Sequence, residues 1–206
     1  MTPTPPSEHP LVLGIRPKAP EPLDVVQDFA NTNWLRTREE QLRDPCSLEG
    51  WLSDHALLDP VSRSAPTRAP ANDADLELAL RLRAGLRRML ARESRPCASH
   101  TEPQTQAGEF PDLPILISLG ADGHPHIRPA VTGVPGALAR ILIAAWDGER
   151  EGRLERLKLC AAPDCRWAYY DPSRNKSATW CNMAVCGSRA KSRSYYQRQK
   201  SQSQAL

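Results

Sequence analysis

Apolar residues recur at helical spacing in four stretches of this chain, most of them bounded by residues that start or stop helices. After Pro22, a residue tolerated in a first turn, Leu23, Val26, Phe29 and Ala30 fall three or four apart and predict an amphipathic helix running toward Trp34. Asn31 and Asn33 then read as polar groups of a helix end and its loop rather than as pocket lining. From Ser47, a capping residue, to Leu58, the side chains of Leu48, Trp51, Leu52 and His55 share one side of a second helix. His55 has no ligand partner in view and reads as a packed or capping side chain. The longest pattern starts at Asn72 or Asp73, with Leu76, Leu78, Leu80, Leu82, Leu86, Met89 and Leu90 on a wide apolar face. Arg81, Arg87, Arg88 and Arg92 lie largely opposite, and the acids Asp73, Asp75 and Glu77 favour a solvated face there over a nucleic-acid contact. Gly136 to Trp146 repeats the helical period with Leu138, Ile141, Leu142, Ala145 and Trp146 and predicts another buried helix.

Strand patterning is confined to short pieces. Ile115–Leu119, the turn residues Gly120–Gly123 and the run His124–Pro129 predict a small hairpin. His124 and His126 share a strand face, but without an accompanying Cys or carboxylate they make a poor metal site. Seven prolines in residues 1–22 exclude regular helix or a central strand, so 1–21 reads as a tail, with Leu11–Ile15 adding a short strand or a packed segment. Prolines 60, 66 and 70 mark a loop over 59–72, and 94–112 is a second loop in which Cys97 reads as incidental. Arg150 to Leu159 adds Leu154 and Leu157 and enters the C-terminal region without a flexible linker, so the helical part and that region are close-packed or rigidly joined.

The C-terminal region is built on a cysteine array. Cys160 and Cys165 enclose four residues, Cys181 and Cys186 enclose four more, and fifteen residues separate the pairs. Two such knuckles place four thiolates around one Zn²⁺ at about 2.3 Å. Two disulfides would use the same sulfurs but need an oxidising compartment, and the N-terminus lacks the pattern of a secretion signal. Iron–sulfur ligands usually crowd into a tighter run. Four thiolates close the shell, so the expected ion is structural and leaves no position for a substrate. Between the pairs, Trp167–Tyr170 and Ala178–Trp180 are strand-like, with Asp171–Asn175 as their turn. After Cys186 the sequence runs without proline from Gly187 to Lys200, and a helix capped by Ser188 places Arg189, Arg193, Tyr196 or Gln197 and Lys200 on one face. Knuckle, hairpin, knuckle and helix resembles a treble clef.

These residues resemble the CGNR zinc finger family, whose N-terminal portion is the ABATE domain. The resemblance rests on Leu159–Cys165, Asp171–Lys176, Trp180–Met183 and Cys186–Lys191, and on Asp28-Phe29-Ala30-Asn31-Thr32 near the start. It implies a stress-induced transcription regulator with access to the bacterial nucleoid, while the N-terminal pattern and the lack of a long apolar run lead to an expected cytoplasmic location. One departure is Ser188, where the family's eponymous motif carries Asn; Asn enters left-handed backbone more readily, so the path out of the knuckle is the point at issue.

Charge sharpens the functional expectation. Of 206 residues, 40% are hydrophobic and 25% charged, an ordinary globular balance, and no apolar run approaches the roughly 18 to 20 residues of a membrane span. Residues 1–149 hold 15 Lys or Arg against 20 Asp or Glu, while 150–206 hold 12 against 4, so the positive charge is concentrated near the cysteines. A basic surface beside a metal-built helix start suits a phosphate backbone. The expected architecture is a mainly α domain with a small hairpin over 22–157, a treble-clef-like finger with a basic helix over 158–200, and a tail over 201–206. The expected function is a DNA-binding regulator, with Arg189 and Arg193 as leading contacts, Lys191, Arg198 and Lys200 adding charge, and Arg174 and Lys176 gripping the backbone from the turn. The helical domain would sense a small molecule or dimerise. The alternative is a protein-interaction module using Tyr195 and Tyr196; an enzyme is not expected, because no nucleophile–base pair, phosphate-cradling glycine motif or open metal position is in view.

Overall fold

The computed structural model describes residues 16–58, 69–94 and 111–203. The expected strand at Leu11–Ile15, most of the proline loop and Cys97 lie outside the described residues. Four helices, α1 (Leu23–Ala30), α2 (Pro45–Asp54), α3 (Asp73–Arg92) and α4 (Gly133–Arg150), follow the predicted periods. Their apolar stripes meet in one core, where Leu23, Val26 and Phe29 of α1, Leu48 and Leu52 of α2, Leu86 and Leu90 of α3, and Leu138 and Ile141 of α4 are all buried. Each such side chain taken out of water stabilises by about 1.5–3 kcal/mol, so stripe-on-stripe packing drives this assembly.

The helix ends depart from the sequence reading in instructive ways. α1 stops at Ala30, not Trp34, because Asn31 leaves the helix to bond elsewhere; Asn33–Trp34 (β1) instead pairs antiparallel with Glu39–Glu40 (β2). The cap of α2 is Asp44, which accepts from the Ser47 N–H at 2.7 Å while the Ser47 hydroxyl accepts from the Asp44 N–H at 2.9 Å. Ser47 is therefore the reciprocal partner in a capping box rather than the cap. α2 ends at Asp54, and His55 stacks on Trp51 at 3.8 Å between ring centres. α4 starts three residues earlier than predicted, and Trp146 is 44% exposed beneath Arg150 rather than buried.

The largest correction concerns the arginines of α3. Arg87 does not lie on a solvated face, and neither does Arg83; they are 8% and 9% exposed. Arg83 donates to the Thr32 hydroxyl at 2.8 Å and to both Glu40 oxygens at 2.7 Å. Arg87 donates to the Ala30 carbonyl at 2.8 Å and to the Arg166 carbonyl at 3.0 Å. The last carbonyls of a helix have no partner within it, and α3 thus supplies one to the end of α1.

β3 (Ile115–Leu119) and β4 (Pro125–Pro129) form the predicted hairpin, with Ile117 opposite Ile127. A carboxylate does accompany the histidines, since Asp122 lies 3.0 Å from His126 Nε2, but His124 approaches it only through its backbone N–H. Among the described residues no helix is long and apolar enough to cross a membrane.

β5 (Leu157–Leu159) and β6 (Ala168–Tyr170) pair antiparallel, Leu157 with Tyr170, Lys158 with Tyr169 and Leu159 with Ala168. This corrects the expected strand pairing: β6 returns along the strand before the first knuckle, and Ala178–Trp180 joins no strand. Because strand side chains alternate, the hairpin is a two-sided wall. Leu157, Leu159 and Ala168 belong to the helical core, whereas Tyr169 packs among the cysteines. The core therefore runs unbroken across the boundary drawn from the sequence at residue 157.

Candidate metal centre

The first knuckle is the turn of the β5–β6 hairpin. The Cys160 N–H donates to Trp167 O at 2.9 Å, closing the turn, and Cys165 and Arg166 both donate to Ala162 O. Arg166 sits at φ 50°, a left-handed conformation that costs a non-glycine residue about 1 kcal/mol or more and that turns the chain back toward β6. The second limb is tied on by the Ala161 N–H, which donates to Thr179 O at 3.0 Å.

The second pair opens the last helix. After Cys181, the Asn182 side chain accepts from the Val185 N–H at 3.1 Å and starts a π-helical turn over Met183–Gly187, which leads directly into α5 (Ser188–Ser203). Asn182 is the capping residue, not Ser188. Ser188 has helical φ −64° and its hydroxyl donates back to Met183 O, so no left-handed backbone is required where the sequence departs from the family motif. The turn is tight at Gly187, where a Cβ would displace the flexible end of the half-exposed Met183 side chain and stand 3.2 Å from Trp180 Cδ1. The expected tail begins late, because α5 continues to Ser203.

These turns bring all four sulfurs within 4.8 Å of one another, and all four residues are buried. Cys165 and Cys181 are 3.6 Å apart and Cys181 and Cys186 3.7 Å apart, far beyond a disulfide bond. A tetrahedral ion with bonds of about 2.3 Å needs sulfurs spaced by about 3.8 Å, so the cluster fits zinc. Hydrogen bonding with Cys160 pulls Cys186 down to about 7, whereas hydrogen bonding with Cys165 pushes Cys160 up and hydrogen bonding with Cys160 pushes Cys181 up.

Charged groups surround the cluster. Arg36, from the turn between β1 and β2, places Nη2 3.2 Å from Cys186 Sγ and 3.8 Å from Asp164. Burial lowers the pKa of its guanidinium, but the charges of Cys165 and Cys186 raise it further, for a net rise. Asp164, in the first knuckle, also faces Arg189 at 3.5 Å and Arg193 at 3.9 Å. On the far side Asp171, fully buried, accepts from Lys158 Nζ at 3.2 Å and from the N–H groups of Ala178 and Ser173. Burial alone would push its carboxyl up, yet these bonds hold it at about 2.

With that geometry, the family comparisons are decisive. A family model described as "Putative stress-induced transcription regulator", ABATE, matches residues 23–157, and a CGNR zinc finger model matches residues 156–199. The chain belongs to the ABATE and CGNR zinc finger family. A search of curated proteins returns no match.

The ABATE domain holds the finger through Asn31, expected to be a local helix-end group, and through Gln27, which carried no expectation. Asn31 bonds one residue of β6 twice, accepting from the Ala168 N–H at 2.7 Å and donating to its carbonyl at 2.9 Å, and Gln27 one turn earlier donates to the same carbonyl. The signal was present: Gln27 and Asn31 are two polar side chains four apart beside an apolar stripe. Arg36 and Asp164 carried no such signal, because only the fold brings them to Cys186.

The expected DNA contacts divide into three groups. Arg189, Arg193 and Tyr196 line one open groove with Val185, Ser188 and Ser192. Helical spacing adds Lys200 to that side and puts Lys191 and Arg198, also exposed, on the opposite side. Of the turn residues, Arg174 is exposed, but Lys176 is paired with Glu155 and its carbonyl accepts from Lys158.

Proposed function

We propose that the protein is a DNA-binding transcription regulator whose finger holds one structural zinc ion and lays one face of α5 against the duplex backbone. The observation that carries this reading is α5 itself: sixteen residues with five cations, no acid and no apolar stripe, and every one of those cations exposed. A helix without a buried face contributes little to a core, and its charge suits phosphates. Arg189 and Arg193 in the groove are the leading contacts, with Lys200 on the same side and Arg174 approaching from the turn. Four thiolates close the zinc shell and leave no coordination position for substrate, which supports a structural rather than a catalytic ion. The ABATE domain, which supplies most of the shared core and the exposed β3–β4 hairpin, is the part suited to sense a ligand or to dimerise, in the cytoplasm.

The test is binding of the zinc-loaded protein to random duplex DNA by fluorescence anisotropy across a salt series. With about four phosphates neutralised, affinity should fall about 100-fold between 50 and 200 mM salt. Arg189→Ala with Arg193→Ala should flatten the slope by about two and leave zinc content unchanged. The second reading, a protein-interaction module, is favoured by Tyr195 and Tyr196, 52% and 70% exposed and packed edge to face at 5.8 Å. Absence of duplex binding at low salt would select it, since a ring-centred contact does not depend on phosphate charge.

A further inference from the structure

We infer that Arg36, a residue of the helical domain, is the outer partner of the zinc-thiolate centre, so that metal occupancy and seating of the β1–β2 turn against the finger are coupled. The inference rests on the zinc reading of the four cysteines and not on DNA binding. Arg36 lies 150 residues from Cys186 in sequence, and its guanidinium Nη2 stands 3.2 Å from that sulfur. Neighbouring contacts hold the turn in place: Trp34 packs edge-on against Trp167 at 5.4 Å, and Glu40 is gripped by Arg83.

The position of Arg36 demands an anion. Its side chain is 13% exposed, and Nε and Nη1 have no hydrogen-bond partner among the described residues. A guanidinium buried with unpaired donors is unfavourable unless negative charge nearby compensates. Asp164 is too weak a partner to do this alone, being 45% exposed, 3.8 Å away and shared with Arg189 and Arg193. Four thiolates around a divalent ion carry two negative charges, and that is the missing compensation. Groups that hydrogen-bond metal ligands commonly change metal affinity by about 10- to 100-fold. Coupling is reciprocal, so if Arg36 favours zinc, zinc must favour the seated β1–β2 turn.

The experiment uses the full chain with Arg36→Met, which removes the charge, and Arg36→Lys, which keeps it. Chelator competition should show zinc held about 10- to 100-fold more weakly in R36M, with partial recovery in R36K. In the cobalt-loaded protein the thiolate charge-transfer band should shift in R36M. In the wild type, removing zinc should speed amide exchange over residues 33–40, a readout that does not depend on any variant folding. Unchanged exchange there, or zinc affinity in R36M within about twofold of the wild type, would overturn the inference. A wild-type protein that takes up no zinc would overturn the metal reading itself, and the coupling with it.

Discussion

α3 and α5 each carry five basic side chains, yet one helix spends some of them inside the molecule and the other keeps all of them outside. In α3, Arg83 and Arg87 are buried and bonded to Glu40, Thr32 and two backbone carbonyls. In α5, Arg189, Lys191, Arg193, Arg198 and Lys200 are all exposed. The difference lies in what surrounds the charges in sequence. α3 has a leucine face that sinks it into the core, and the arginines flanking that face are carried down to the carbonyls and carboxylates that wait there. α5 has no such face and is fixed at its start, by the cysteine turn. Basic content alone does not identify a nucleic-acid helix; basic content without an apolar stripe or an acidic counterpart is the more informative pattern.

Removing the metal should separate the two helices most sharply. Cys181→Ser takes one ligand from a site of a class whose zinc binding is worth about 10 kcal/mol or more to folding. Zinc content should fall to near zero and α5 amides should lose their protection, while the α3 amides around Leu86 and Leu90 keep slow exchange. Exchange mass spectrometry reads both helices in one sample. Protection of α5 without metal would mean that contacts other than the cysteine turn hold it.

Arg87→Met tests the other side of the comparison. It leaves two buried carbonyls, those of Ala30 and Arg166, without this donor, and should cost about 2–4 kcal/mol in urea unfolding. Arg193→Ala, on α5, should stay within about 0.5 kcal/mol of the wild type, as exposed substitutions do. Equal losses at the two sites would erase the distinction between a buried and a displayed arginine.

Legibility followed the same division. The four helices, the β3–β4 hairpin and the cysteine cluster were legible because each rests on local periodicity or spacing that survives folding. The capping assignments missed by a few residues, since Asp44 and Asn182 precede the serines that look like caps and the bonds that decide between them form only in the folded turn. The docking of the two parts was hidden for a different reason. Asn31, Arg87, Arg36 and Asp164 act across 79 to 150 residues of sequence or converge on one point only in space, and no period in one segment encodes a partner in another. The β5–β6 pairing was misread because Trp167–Tyr170 and Ala178–Trp180 look equally strand-like; the leucines of β5 decide it by giving β6 a partner already anchored in the core.

The smallest expected effect, at Asp164, sharpens the comparison on the exposed side. This carboxylate faces both groove arginines, at 3.5 and 3.9 Å, and on the proposed reading competes with phosphate for them. At 45% exposure each pair is worth well under about 1 kcal/mol, so it restrains the arginines without holding them. Asp164→Asn removes both the competing pair and the repulsion of phosphate, and should tighten duplex binding by about two- to fivefold, or roughly 0.4–1 kcal/mol. The gain should shrink as salt rises, because screening weakens the carboxylate in the wild type as well. The same anisotropy assay measures it, with zinc content as the control. Unchanged affinity in a protein that still binds duplex DNA would move the phosphate contact away from Arg189 and Arg193, to the opposite face that carries Lys191 and Arg198.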